Sequence, residues 1–262
     1  MPKVTYEREG AAAVLTITRP ERRNAVDDET AALLADGFRS FEADDGARAL
    51  VLTSGDEEAF CAGADLKALA ETDPATTDLG TWLEAHRDGP LGFTRLTPSK
   101  PTIAAISGWA LAGGFELALW CDLRIASETA KFGYTERRFG VPLIDGGTQR
   151  LPRIVGMGRA LELILTGRIV EAPEALSWGL VNEIVPARKH LERALAMAEG
   201  LAGFPQQTML TDRRAAIEGA GLPLADGLAL EADLGTPSIA VGLGGAARFA
   251  AGEGRGAAGA GV

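Results

Sequence analysis

Cysteine and histidine are scarce in this chain: Cys61, Cys121, His86 and His190 are the whole supply in 262 residues. The cysteines stand in no metal-like spacing and the histidines lie far apart in sequence, so no zinc or iron site suggests itself and two buried free thiols are expected. Basic charge is also short, with 26 Lys and Arg against 36 Asp and Glu and a net charge of -10. Nucleic acid and membrane surfaces are therefore poor partners, since either needs a broad basic face. An anionic small ligand stays open if basic residues gather locally. Apolar runs break well short of the roughly 20 residues of a membrane helix. The opening MPKVTYEREG has no basic start followed by an apolar stretch, which points to a soluble cytoplasmic protein. What is present, 46% hydrophobic and 24% charged residues, is an ordinary globular composition with room for one main domain.

Strand and helix signals alternate along the first part of the chain. AAAVLTIT (11–18) reads as a buried strand, and the following helix is capped near Asp27 or Asp28, with Leu34, Phe38 and Phe41 at helical spacing. ALVLTSG (49–55) and TIAAISG (102–108) are short apolar strands ending in Ser-Gly, each followed by a small-residue loop and a helix near Asp65 or Gly114. LRIAS (123–127) repeats the strand type. Strands returning after each helix define an α/β fold of similar units laid side by side. From about Met157 the texture turns helical, with a short strand at VNEIV and amphipathic stretches at 187–202 and 205–218. The division expected is a core domain over 1–195 and a helical lobe with a Gly/Ala-rich tail over 196–262. The tail carries few side chains able to bury area and is expected to be mobile without a partner.

Two stretches carry chemistry. In FCAGADLKAL, residues 60–69, a strand runs into the small turn Ala62-Gly63-Ala64 and then a helix. Backbone N–H groups at such a turn point outward, and small side chains admit a ligand oxygen, so Ala64 is a candidate donor. Gly113 and Gly114 open the next helix in the same way, although small residues also serve plain close packing. Glu116 sits one helical turn beyond Gly113 on the same side, inside an apolar run. Glu136 follows the next strand and turn, where strand return can bring it opposite Glu116. Two carboxyl groups beside an apolar pocket suit acid and base work, because burial and mutual repulsion raise at least one pKa toward neutrality. The plain alternatives are an outward-facing Glu116 and a Glu136 paired with Arg137 or Arg138.

The stretch from Pro101 to Gly156 resembles the signature region of the enoyl-CoA hydratase/isomerase, or crotonase, superfamily. It has Lys-Pro before TIAAISG, then GWALAGGFELALWCDLRIAS, AKFGYTERRFG and GGTQRLPRIVG. The resemblance extends to TRPERRNAV (18–26), FCAGADL and LTGRIVEAPEALSWGLVNEIV (165–185). It implies a spiral of ββα turns, a helical C-terminal lobe that assembles homotrimers or homohexamers, and acyl-CoA thioester substrates of fatty-acid metabolism. By position, Ala64 and Gly113 become the two donors to the thioester oxygen, and Glu116 and Glu136 the two glutamates that handle water and the C2 proton. Neither role requires a metal or a cofactor beyond the coenzyme A of the substrate. Arg22, Ala62 and Lys67 fall where relatives touch the nucleotide end, and Arg255 where a neighbouring subunit lends a basic residue. Solvated surface charge is the alternative for the three basic ones.

One departure bears on the reaction. Hydratases of the superfamily commonly show proline and glycine before a small residue where this chain has VPLIDGG, so Ile144 takes the place of the glycine and Asp145 the next position. Isomerases of the superfamily use an aspartate in a similar context for proton transfer, while a plain cap on the helix opening at Gly146 or Gly147 is the alternative. The readings are a 2-enoyl-CoA hydratase, an enoyl- or dienoyl-CoA isomerase using Asp145 with Glu136, and a non-catalytic acyl-CoA binding protein.

Overall fold

Val4–Glu9 (β1) and Ala12–Ile17 (β2) form an antiparallel hairpin in which Val4 faces Ile17. The computed structural model describes residues 2–71 and 78–253. Only β2 was legible as a strand, because β1 carries a half-exposed pattern without an apolar run. The helix Asp28–Ala43 (α1) follows, capped by Asp27, whose side chain accepts from Thr30 N at 2.9 Å. Its Leu34, Phe38 and Phe41 are buried, as the helical spacing requires.

A pattern of two strands and a helix then repeats. Ala49–Ser54 (β3), Ala59–Cys61 (β4) and Leu66–Leu69 (α2) form the first unit, before Leu79–Ala85 (α3). Thr102–Ile106 (β5), Trp109–Leu111 (β6) and Gly113–Trp120 (α4) form the second. Leu123–Ser127 (β7) and Lys131–Gly133 (β8) open a third, continued by a 3-10 turn at Thr135–Phe139 and the helices Gly147–Val155 (α5) and Met157–Thr166 (α6). Ile169–Glu171 (β9), Ala172–Ser177 (α7) and Glu183–Val185 (β10) complete this part. Within each unit the first strand joins a six-stranded sheet, ordered β1-β2-β3-β5-β7-β10, and the second joins a four-stranded sheet, ordered β4-β6-β8-β9. Apart from the β1/β2 and β8/β9 pairs the ladders are parallel. Strands β3 and β5 are buried along their whole length, which explains their unbroken apolar sequences. Phe38, Phe93 and Trp120 pack ring against ring, with centroids 4.5 to 5.7 Å apart.

The chain divides into two compact units, Met1–Leu195 and Ala196–Val262. The division falls within His190–Ala202 (α8); the second unit then contains Gln206–Gly219 (α9), Leu224–Gly235 (α10) and Ile239–Ala250 (α11). The first part of the Gly/Ala-rich segment expected to be mobile is helical in α11, where alanine, the best helix former, offsets the glycines between Ile239 and Ala250; residues 254–262 lie outside the described residues. No helix among the described residues is long and apolar enough to cross a membrane. Both cysteines are buried and free.

Candidate active site

Two backbone turns meet where β4 and β6 lie side by side. An isolated parallel bridge pairs Val26 with Ala64 and uses the carbonyl of Gly63 and the N–H of Asp65, so the N–H of Ala64 itself points to the opposite side. That side is the start of α4. A Cβ added to Gly63 would lie 2.7 Å from Gly113 N, and one added to Gly113 would lie 3.6 Å from Ala64 N. Neither amide donates to an acceptor among the described residues. Close approach depends on Gly114, where a Cβ would stand 2.0 Å from the Cys61 carbonyl oxygen. It depends also on Ala112, held at φ 52 and ψ -126, a backbone conformation costly for a residue with a side chain.

The 62–65 turn is held from below by Arg19, which is buried and pairs with Asp27 at 2.9 Å and Asp65 at 3.1 Å. Asp65 also caps α2, accepting from Lys67 N and Ala68 N. Ala62 N donates to the carbonyl of Arg23 at 3.0 Å. These contacts explain the polar TRPERRNAV segment: much of its polarity is spent on fixing the turn.

Glu116 lies on α4 and is 2% exposed. Its Oε1 accepts from Gly147 N at 2.7 Å and Asp145 N at 3.1 Å, so the carboxyl turns inward, and the outward-facing alternative does not hold. Burial pushes its pKa up to about 8, opposed by the Gly147 amide and reinforced by the charges of Asp145 and Glu136. Glu136, in the 3-10 turn, is 5% exposed, and neither of its carboxyl oxygens has a hydrogen-bond partner among the described residues. Pairing with Arg137 or Arg138 is therefore not observed; both arginines are exposed. Burial pushes Glu136 up to about 7. Both carboxyls thus lie in surroundings that favour the protonated form toward neutral pH.

Asp145 is 4% exposed, but it does not cap α5: the N-cap is Gly146 and no side chain bonds there. Instead its Oδ1 accepts from Leu91 N at 3.1 Å and from the Thr94 hydroxyl. Arg150 donates to the carbonyls of Asp145, at 2.8 Å, and Thr94, at 2.5 Å. The cap expectation failed because glycine at φ 102 took the N-cap position and turned the preceding side chain toward the 91–94 loop. Composition gave no sign of that loop's part, nor of Tyr134, whose ring is fully buried with no partner for its hydroxyl.

Among the residues expected to touch coenzyme A, Arg22 and Lys67 are exposed and Ala62 half-buried, all on or beside the two turns that adjoin Ala64. Arg255 lies outside the described residues. Trp82 and His86, on α3 and at its C-terminus, stack on each other at 4.3 Å.

Free backbone donors beside a pair of buried, raised carboxyls on an α/β scaffold define a site suited to acid–base chemistry at a carbonyl. The enoyl-CoA hydratase/isomerase family model matches residues 7–240, and the chain belongs to that family. A probable enoyl-CoA hydratase of Rhizobium meliloti is 41% identical over 86% of this chain and 85% of its own. A short-chain-enoyl-CoA hydratase of Clostridium acetobutylicum is 37% identical over 88% and 87%. The crystal structure of an enoyl-CoA hydratase from Mycobacterium marinum superposes with a TM-score of 0.85 at 33% identity, covering 95% of this chain and 96% of that one.

Proposed function

We propose that the protein is an enoyl-CoA hydratase that adds water across the 2,3 double bond of 2-enoyl-CoA thioesters. The observation that carries the reading is the pair of buried carboxyls, Glu116 anchored by two amides and Glu136 with no protein donor, each pushed toward neutrality. In this mechanism the amides of Ala64 and Gly113 hold the thioester oxygen and stabilise the enolate-like charge that develops on it. Removing one such donor from an enzyme typically costs about 3 kcal/mol of transition-state stabilisation. Glu116 takes a proton from water as the oxygen bonds to C3. The π electrons shift toward C2 and the thioester, and Glu136 gives its proton to C2. The product gains one water, and the proton left on Glu116 returns to Glu136 through exchange with solvent.

Burial pushes both carboxyls up, Glu116 to about 8 and Glu136 to about 7, so each can hold or release a proton near neutral pH.

Arg22, Ala62 and Lys67 take the nucleotide end of coenzyme A, and Arg255 of a neighbouring subunit adds a charge there. No cofactor beyond the substrate's own coenzyme A is needed. Homotrimers or homohexamers are supported by the apolar side chains left exposed on α10 and α11, among them Leu224, Leu228, Leu243 and Phe249. Free buried thiols suit a cytoplasmic setting.

The isomerase alternative asks Asp145 to carry a proton; its Oδ1 accepts from Leu91 N and the Thr94 hydroxyl, which turns this carboxyl toward the 91–94 loop. The binding-protein alternative leaves two raised carboxyls without a purpose. Purified protein mixed with crotonyl-CoA should bleach the conjugated enoyl-thioester absorbance. Loss of no absorbance, with turnover of a 3-enoyl-CoA, would instead identify an isomerase.

A further inference from the structure

Among the described residues, five buried side-chain atoms have no hydrogen-bond partner, and three of them are Tyr134 Oη and the two carboxyl oxygens of Glu136. Unpaired buried polar atoms are rare because they are destabilising, and a cluster of them marks a place that water or a ligand fills. Tyr134 is the extreme case. Its ring is wholly buried against Phe115, with ring centroids 4.9 Å apart, so a phenylalanine would fill the same space without an unsatisfied hydroxyl.

The hydroxyl also reaches Glu116. A Cβ placed on Gly147 would lie 2.5 Å from Tyr134 Oη and 2.9 Å from Glu116 Oε1, so Gly147 leaves open the space where the two atoms converge. Tyr134 directly precedes the 3-10 turn that carries Glu136. The phenol thus stands near the Glu116 carboxyl and directly before the turn that carries Glu136, and it bonds to neither.

We propose that Tyr134 is a catalytic residue of this site, its hydroxyl donating a hydrogen bond to the water that Glu116 and Glu136 hold for addition to the substrate. Resting on the hydratase reading, this gives the water a third contact. The Glu116 carboxylate only accepts from the water and the proton of Glu136 is directed to C2, leaving the lone pairs of the water undirected. A phenol donating to one lone pair orients the other toward C3. Burial and the charges of Glu116 and Glu136 push the phenol well above its ordinary pKa, so it keeps its proton and serves as a fixed donor rather than as an acid. No proton leaves Tyr134 in the cycle.

The test is Tyr134→Phe, measured for hydration of crotonyl-CoA and for thermal unfolding. A lost orienting hydrogen bond should lower kcat roughly tenfold or more, with KM changed less than about twofold, because the contact is to water rather than to the thioester. The midpoint of unfolding should hold or rise, since the unpaired hydroxyl is gone. Unchanged kcat would overturn the proposal, and so would kcat and stability falling together, which marks a packing role. A crystal structure of the unliganded protein provides a check independent of turnover: a water within about 3 Å of Tyr134 Oη and of a Glu136 carboxyl oxygen. If the wild type hydrates no 2-enoyl-CoA, the hydratase reading falls and the crystal alone decides whether the phenol holds water there. An empty position, or a hydroxyl bonded only to protein, refutes it.

Discussion

Gly147 N donates to Glu116 Oε1 at 2.7 Å, tying the first residue of α5 to the buried carboxyl of α4. The neighbouring amide of Asp145 meets the same oxygen at 3.1 Å. One carboxyl oxygen is thereby fixed by backbone, which leaves the other to face a reactant. The same 145–147 segment is bound to the 91–94 loop through Asp145 and Arg150, so the carboxyl, the helix start and the loop form one connected unit.

Replacing either glutamate by its amide should cripple hydration without unfolding the protein. Glu116→Gln and Glu136→Gln each remove a proton-transfer group, and losses of about 10²- to 10⁴-fold in kcat are expected. The double variant should be little worse than the weaker single one, because the two act as a unit. Crotonyl-CoA turnover measures all three; a single variant retaining wild-type kcat refutes the role assigned to that residue.

Stability should fall as pH rises through neutrality. The folded chain holds protons on Glu116 to about pH 8 and on Glu136 to about pH 7, whereas the unfolded chain releases them near 4.5. Folded protein therefore binds more protons across that window, and the stability they confer is full below it and lost as pH climbs to the folded values. His190, buried and held below its usual pKa, acts in the opposite sense below about pH 6.5, so the comparison must be with variants. Thermal midpoints should decline more steeply between about pH 6 and 8 in the wild type than in Glu116→Gln or Glu136→Gln. Parallel slopes would show that these carboxyls do not titrate there.

Asp145 should behave as an anchor rather than as a proton carrier. Asp145→Asn keeps an oxygen for Leu91 N and the Thr94 hydroxyl, and hydration should fall less than about tenfold. Asp145→Ala leaves the Leu91 amide unpaired, at a cost of about 1–3 kcal/mol in stability, and should lose more activity. Urea unfolding and steady-state kinetics on both variants decide the matter. An inactive Asn variant with wild-type stability would restore the carboxyl to the chemistry.

The turn that brings Gly113 to Ala64 should respond oppositely to one methyl group at the two positions flanking Gly113. Gly114→Ala drives a Cβ into the Cys61 carbonyl and should destabilise by about 2 kcal/mol or more while lowering kcat. Ala112→Gly relieves a positive φ and should be neutral or stabilising by up to about 1 kcal/mol. Differential unfolding of the pair reads both signs. A tolerated Gly114→Ala would mean that the turns are farther apart than described.

Much of this protein was legible before folding was considered. Unbroken apolar strands at 49–54 and 102–106, helices opening after them, and small residues at 62–64 and 112–114 specify the repeating units by local rules of burial and turn geometry. Glu116 was legible as a helical residue one turn beyond Gly113, and it is buried there. Tertiary structure alone decided the rest. Glu136 and Asp145 sit in irregular backbone, where no period dictates direction. Glu136 finds no donor among the described residues and Asp145 meets the Leu91 amide, an outcome set by segments distant along the chain. Tyr134 was invisible for the same reason, since a lone tyrosine beside a strand is ordinary core until its hydroxyl is found without a partner. Local sequence chose the elements; only their packing decided which polar atoms would be buried without a partner among the described residues.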